Sequence, residues 1–166
     1  QMGIITKGGG HAMAAGLSIE ADRVEDLKFF LNKRLANDLV DRPSVPGHFV
    51  DGALKVAGAN LDLVETLAKV GPYGSGNPEP RFVITNVMIN HADTVGRDQN
   101  HLRLSLSDDT GRRLNAIAFR AVDTDMGQAL IHHGGAPFHV SGKIRINTWK
   151  GRSSVQLLVD DAAPVW

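Results

Sequence analysis

The sequence predicts an α+β protein in which a short α/β part precedes a five-stranded β-barrel. The first observation is an apolar stripe at helical spacing over residues 22–39. The second is a change of periodicity after a glycine- and proline-rich segment at 71–80, beyond which apolar and polar residues alternate. The third is a single helical pattern at 123–133 within that β-rich half. These patterns divide the chain into residues 1–70, a junction at 71–80, and residues 81–166.

Composition places the chain among globular proteins. It has 166 residues, 42% of them hydrophobic, with no cysteine and a formal net charge of zero. The lack of cysteine excludes disulfides and thiolate metal sites. Zero net charge means that any site for a polyanion is a local basic patch. No apolar run approaches the roughly 20 residues of a membrane span and no signal peptide is evident, so we expect a cytoplasmic protein.

The run at 8–16, GGGHAMAAG, is the most informative motif before the junction. Glycines leave room for a ligand, and residues 12–15 are good helix formers. We therefore expect a glycine loop that leads into a helix N-terminus, which is a site for phosphate or another anion. The candidate residues are Gly8, Gly9, Gly10 and His11. On spacing alone, a tight turn before a short packed helix accounts for the same residues.

Two helices and two strands are predicted before the junction. They are a strand at 17–20, a helix at 22–39, a strand at 49–56 and a helix at 60–70, with a proline-rich linker at 41–47. The stripe of the first helix predicts a face buried in a core. It consists of Val24, Leu27, Phe30, Leu31, Leu35 and Leu39. Asn60 or Asp62 is the expected cap of the second helix, which ends at Gly71-Pro72.

Five strands are predicted after the junction. They lie near 82–90, 101–107, 113–119, 137–146 and 153–159. In the second of these, alternation places Leu102, Leu104 and Leu106 on one face. Turn residues at 108–111 and 147–151 predict hairpins. Five strands with a helix between the third and the fourth is the layout of an OB-fold, a small barrel that binds oligonucleotides or oligosaccharides.

Four segments carry a resemblance to a known family. Residues 6–16 resemble the glycine–histidine motif of the DHH-associated domain found in DHH-family phosphoesterases. The junction at 71–80, GPYGSGNPEP, is similar to that of the bacterial RecJ family of single-stranded-DNA exonucleases. Segments 101–108 and 149–161 resemble strands of the OB domain of that family. The resemblance covers nearly the whole chain and implies a partial α/β DHH-associated domain followed by an OB-fold barrel.

The resemblance also implies an activity and its requirements. RecJ-like enzymes hydrolyse single-stranded DNA from 5′ to 3′ in repair and recombination, with manganese or magnesium in an N-terminal DHH domain. The Asp-His-His triplet of that domain does not occur here, since residues 131–133 read Ile-His-His. We therefore expect a C-terminal fragment without the metal site, inactive alone, whose partners are single-stranded DNA and a single-strand-binding protein. The resemblance implies that Gly9, Gly10 and His11 contact the substrate phosphate.

In the barrel, a single-strand site is expected as a basic groove with aromatic stacking platforms. The candidate DNA-binding residues are Arg97, His101, Arg103, Arg113, Lys143, Arg145, Trp149, Lys150 and Arg152. For the cations, ordinary solvated strand faces are the alternative. Trp149 either stacks on a base or packs over the end of the barrel. Phe119 either stacks on a base or fills the barrel interior, and we expect it to fill the interior. Phe138 and Trp166 are expected to pack.

Two further functions stay open. One is a free-standing adaptor for nucleic acid or protein, which the zero net charge favours because a protein partner needs no basic groove. The other is a DHH-type phosphoesterase acting on short RNA or cyclic dinucleotides, although such relatives usually lack an OB domain. A coding sequence without an upstream DHH segment would indicate the adaptor.

Overall fold

The computed structural model describes residues 4–39 and 47–165, apart from the side chains of 37–39 and 149. The predicted linker, except Gly47, and Trp166 lie outside the described residues. None of the described helices is both long and apolar enough to cross a membrane.

Contacts divide the chain into two compact units, residues 1–47 and residues 48–166. The second unit therefore includes residues 48–70, which the sequence analysis placed in the first domain. It also includes the junction at 71–80.

The first unit contains a hairpin and a helix. Strand β1 (Lys7–His11) pairs antiparallel with β2 (Ala14–Ser18), and α1 (Val24–Leu39) follows a 3₁₀ turn. The helix predicted at 22–39 is confirmed, but the helix expected after His11 is wrong. Gly10 explains the hairpin, since a Cβ there would lie 2.7 Å from the carbonyl oxygen of Ala14 on the returning strand. Intrinsic helix propensity is a weak preference that such tertiary pairing overrides.

Most of the apolar stripe of α1 is exposed, so the predicted core face is wrong for the described residues. Phe30, Leu31 and Leu35 are 38%, 42% and 46% exposed, Leu27 is partly buried, and the side chain of Leu39 lies outside the described residues. In the described part of this unit a two-stranded hairpin and a 3₁₀ turn accompany the helix, and so small an assembly cannot enclose a core.

The second unit is built around a mixed six-stranded sheet. Its elements are β3 (Gly52–Leu54), α2 (Leu61–Ala68), β4 (Phe82–Val95), β5 (His101–Ser107), β6 (Arg113–Ala118), α3 (Asp125–Ile131), β7 (Phe138–Trp149) and β8 (Arg152–Pro164). Hydrogen-bonded neighbours run β3–β4–β5–β6–β8–β7, and β7 also pairs with β4. The β3–β4 and β6–β8 pairs are parallel and the others are antiparallel. The five strands and one helix predicted after the junction are confirmed.

Alternation along the strands supplies the core of the second unit. Leu102, Leu104 and Leu106 are at most 1% exposed, as the pattern of β5 predicts. Phe138 is 3% exposed and packs as expected. Across the ladder, the leucines of β5 lie opposite small or apolar residues of β6, namely Ala118, Ala116 and Leu114. A 3₁₀ turn at Val56–Gly58 in this second unit, together with α2, contributes further apolar side chains to the same cluster.

Asn60 caps α2, as the sequence predicts. Its Oδ1 accepts a hydrogen bond from the backbone N–H of Leu63 at 2.9 Å, and its Nδ2 donates to the carbonyl of Ala57 at 3.1 Å. We expect Asn60→Ala to lower the free energy of unfolding by about 1 kcal/mol, because the orphan N–H loses its acceptor. Urea unfolding measures this, with Glu65→Ala on the same helix as the control. Equal midpoints for the two variants would contradict the capping role.

The junction at 71–80 is irregular, as predicted, and side chains fasten it to the end of α2. Tyr73 donates its hydroxyl to the carbonyl of Leu67 at 2.5 Å. Asn77 Nδ2 donates to the carbonyls of Val70 at 3.0 Å and Pro72 at 3.2 Å. These bonds tie the junction to carbonyls in the last turn of α2 and just beyond it.

Candidate nucleic-acid interface

The outward side chains of β5 and β6 form one continuous surface, which we call the β5–β6 outer face. It comprises His101, Arg103, Ser105 and Ser107 on β5, and Arg113, Asn115 and the following Phe119. Ile117 lies on the same side of β6 by alternation but is only 9% exposed. The register places Arg103 opposite Ile117 and Ser105 opposite Asn115. From Arg113 to Phe119 the face extends about 20 Å at the rise of a β-strand. It therefore carries aromatic, cationic and uncharged polar groups along one line.

An aromatic pair stands at one end of this face. Phe119 is 60% exposed, so the expectation that it fills the barrel is wrong. Ala118 points inward at 1% exposure, and alternation therefore turns the next residue outward. The rings of Phe119 and His101 meet edge to face, with centroids 5.1 Å apart and planes at 77°. The backbone N–H of Arg120 donates to His101 Nδ1 at 3.0 Å, which orients the imidazole.

Several candidate cations remain available on or near this face. Arg97, Arg113 and Arg152 are exposed, and among the described residues none of them forms an ion pair. Arg103 Nη2 donates to Asp93 Oδ2 at 2.9 Å, and both side chains of this ion pair are more than half exposed. Such exposed pairs stabilise little, so a phosphate competes easily for this guanidinium. Lys150 is exposed in the β7–β8 turn, and the side chain of Trp149 lies outside the described residues.

Arg145 and Lys143 are engaged by an acidic partner that sequence reasoning missed. The guanidinium of Arg145 donates two hydrogen bonds to the carboxylate of Glu79, from Nε to Oε1 at 2.9 Å and from Nη2 to Oε2 at 2.5 Å. Lys143 Nζ lies 3.9 Å from the same carboxylate, whose side chain is only 19% exposed. Glu79 belongs to the junction, 66 residues before Arg145, and no local pattern connects them. A phosphate must compete with Glu79 for both cations.

This ion pair makes stability depend on pH. The hydrogen bond from Arg145 lowers the pKa of Glu79 below its ordinary value of 4.5, against the opposing effect of burial. Because the folded protein favours the ionised carboxylate, the pair stabilises the fold above pH 4.5. That stabilisation is lost as the pH falls below 4.5 through the lowered pKa.

We expect the free energy of unfolding to fall more steeply below pH 4.5 in the wild type than in Glu79→Gln. Urea titrations across the acid range measure both curves. A hydrogen bond from Thr110 also lowers the pKa of Asp108, but this group is present in both proteins, so the difference isolates Glu79. Parallel curves would rule out the contribution of the pair.

The glycine–histidine motif lies in the β1–β2 hairpin of the first unit. Gly8, Gly9, Gly10 and His11 are exposed in β1, so they do not precede a helix N-terminus. His11 Nδ1 accepts the backbone N–H of Met13 at 3.2 Å, which leaves Nε2 as the donor of the ring. A Cβ at Gly9 would meet nothing within 4 Å, so a ligand can approach the backbone of β1 at this position.

Within residues 4–39 and 47–165, no three histidine or carboxylate side chains come together in a group that could hold a metal ion. His132 and His133 lie at the end of α3, where the Nδ1 of His133 accepts the backbone N–H of Gly135 at 3.1 Å.

RecJ exonucleases from three bacteria match almost the whole chain. It is 34% identical to the single-stranded-DNA-specific exonuclease RecJ of Haemophilus influenzae, over 98% of this chain and 28% of that protein. It is 32% identical to the Escherichia coli RecJ, over 98% of this chain and 27% of that protein. The Bacillus subtilis RecJ is 26% identical over 93% of this chain and 19% of its own length. The chain therefore spans less than a third of each of these relatives.

Solved structures agree on the fold. The crystal structure of Thermus thermophilus RecJ with Mn²⁺ superposes with a TM-score of 0.65 and 22% sequence identity, over 96% of this chain and 22% of that one. The family model for the RecJ OB domain matches residues 50–161, which include β3, α2, the junction and most of the sheet. With the hydrogen-bonded order of the strands described above, this match shows that the chain belongs to the RecJ OB domain family.

Proposed function

We propose that this chain is the DNA-binding C-terminal part of a RecJ-like single-stranded-DNA exonuclease. The observation that carries the proposal is an exposed Phe119, oriented against His101, on the same face as Arg103 and Arg113. Aromatic side chains stack on any base, and cations follow the phosphate backbone without reading sequence. Such a surface suits an enzyme that digests a single strand with at most a modest dependence on its sequence.

In this proposal the first unit is part of the DHH-associated domain, and its hairpin contacts the phosphate near the scissile bond. The open backbone at Gly9 admits the phosphate, and His11 Nε2 donates a hydrogen bond to one of its oxygens. The hydrolytic metal, Mn²⁺ or Mg²⁺, belongs to a DHH domain outside this chain, where it would generate the attacking hydroxide. The whole protein acts in DNA repair and recombination in the cytoplasm, with a single-strand-binding protein as a partner.

Fluorescence anisotropy of a labelled single-stranded oligonucleotide, titrated with this chain at two salt concentrations, tests the proposal. A duplex of the same sequence is the control. We expect tighter binding to the single strand and a marked loss of affinity at the higher salt, because phosphate contacts release counterions. Equal affinity for the duplex, or no binding at low salt, would overturn the proposal.

A protein-binding adaptor is the second candidate function, and one observation favours it. An apolar groove of about 320 Å³ lies between α2 and β7, lined by Val64, Leu67 and Ile144 among others. Grooves of this kind receive apolar side chains of partner proteins. Absence of DNA binding, with the second unit folded, would favour this function.

A further inference from the structure

We infer that a cleft at the Arg113 end of the β5–β6 outer face binds one nucleobase of the DNA strand. This inference rests on the proposed function, because the strand must first lie along that face. The cleft has a volume of about 520 Å³, within the usual range for small-ligand sites. It lies between the start of α2 and the first residues of β6 and β8, and its lining includes Ala59, Asp62, Arg113, Leu114, Asn115 and Ser154.

The cleft is continuous with the proposed DNA path. Arg113 and Asn115 belong both to the outer face and to the lining of the cleft. A strand that stacks on Phe119 and follows β6 therefore arrives at the cleft after about 20 Å.

Four polar side chains of the cleft are free to bind a ligand, whereas Asn60, which also lines it, is engaged as the cap of α2. Among the residues that the structure describes, the side chains of Asp62, Arg113, Asn115 and Ser154 make no hydrogen bond or ion pair with other protein groups. Arg145, in contrast, is occupied by Glu79. The cleft therefore offers a cation, a carboxylate, an amide and a hydroxyl at once.

The chemistry of the lining favours a base over a phosphate. The carboxylate of Asp62 repels a phosphate that enters the cleft, whereas Arg113 attracts one. Leu61, which is 40% exposed, and the half-buried Val155 add apolar surface. A nucleobase has apolar faces and a polar edge, so it fits a cleft of mixed character. The base then enters beside Asp62 while Arg113 contacts the adjoining phosphate.

Asp62 also predicts which bases are preferred. A carboxylate accepts hydrogen bonds but cannot donate them, and cytosine offers it an exocyclic amino group. Thymine has no amino group, and its one edge donor, the N3–H, lies between two keto oxygens that would face the carboxylate unfavourably. We therefore expect the cleft to favour cytosine over thymine.

The test compares oligodeoxycytidylate with oligothymidylate, each about 12 nucleotides long, in anisotropy titrations of the full chain at neutral pH. We expect the cytosine strand to bind about five- to ten-fold more tightly, which is the lower end of what one good base contact provides. Asp62→Ala should bring the ratio of the two Kd values to about one. Glu65→Ala, on the same helix but outside the cleft lining, should leave the ratio unchanged.

The outcomes separate this inference from the proposed function. Equal Kd values in the wild type, or a preference that persists in Asp62→Ala, would overturn the cleft assignment while binding along the outer face still stands. Absence of binding by either strand would overturn the proposed function itself. If Asp62→Ala fails to fold, Asn115→Ala serves instead and should reduce the same ratio. An unchanged ratio in that variant would count against the cleft.

Discussion

Replacing Gly142 with alanine is expected to destabilise the second unit by about 3–5 kcal/mol, a large part of the stability of an ordinary domain. Gly142 lies in β7 opposite Val159 of β8, where the register shifts between Ser141 and Gly142. A Cβ at this position would stand 1.9 Å from the carbonyl oxygen of Leu158 and 3.1 Å from the Cα of Val159. Both contacts are backbone, so relief requires the two strands to separate.

Separation is costly because β7 and β8 form the longest pairing of the sheet. Their register extends from Phe138 opposite Pro164 to Trp149 opposite Arg152. Urea unfolding followed by circular dichroism measures the loss. Gly76→Ala is the matched control, since a Cβ there meets nothing within 4 Å. Unfolding midpoints that agree between the two variants would show that β7 and β8 move apart at little cost.

Replacing Phe119 with alanine is expected to weaken binding of single-stranded DNA by about 1–3 kcal/mol, or roughly 5- to 150-fold in Kd. The side chain is the exposed member of the aromatic pair at the end of the β5–β6 outer face. A base that stacks on the ring loses this contact in the variant, whereas phosphate contacts elsewhere remain. Salt dependence should therefore change little while affinity falls at every salt concentration.

Phe49→Ala provides the control for this prediction. Phe49 is 86% exposed in the same unit but precedes β3 and is not part of the outer face. Its removal should leave DNA binding unchanged. Equal losses in the two variants would mean that any exposed phenylalanine attracts the strand, and unchanged binding in Phe119→Ala would eliminate the stacking role.

Periodicity and capping predicted most of the second unit. The alternation of Leu102, Leu104 and Leu106 identified β5 and its inner face, which the structure buries. Asn60, one of the two expected caps of α2, accepts an N–H group at the start of that helix, and Thr124 does the same at the start of α3. These features were predictable because each depends on residues within a few positions of one another.

The first unit shows where local reasoning fails. The alanines at 12–15 favour a helix by propensity, yet Ala14 and Ala15 begin β2. Backbone pairing with a glycine-rich strand outweighs the few tenths of a kcal/mol by which such residues prefer a helix. The apolar stripe of α1 was found correctly as a pattern, but a pattern does not show which surface covers it.

The sequence by itself determined the order of the strands and helices after the junction, the buried face of β5 and the family resemblance. Only the tertiary structure decided which outward side chains can meet a ligand. Arg145 is held by Glu79 across 66 residues, while Phe119 is turned to solvent one residue beyond a strand. The physical reason is that ion pairs and surface clusters join residues distant in the chain, whereas alternation and capping act between neighbours.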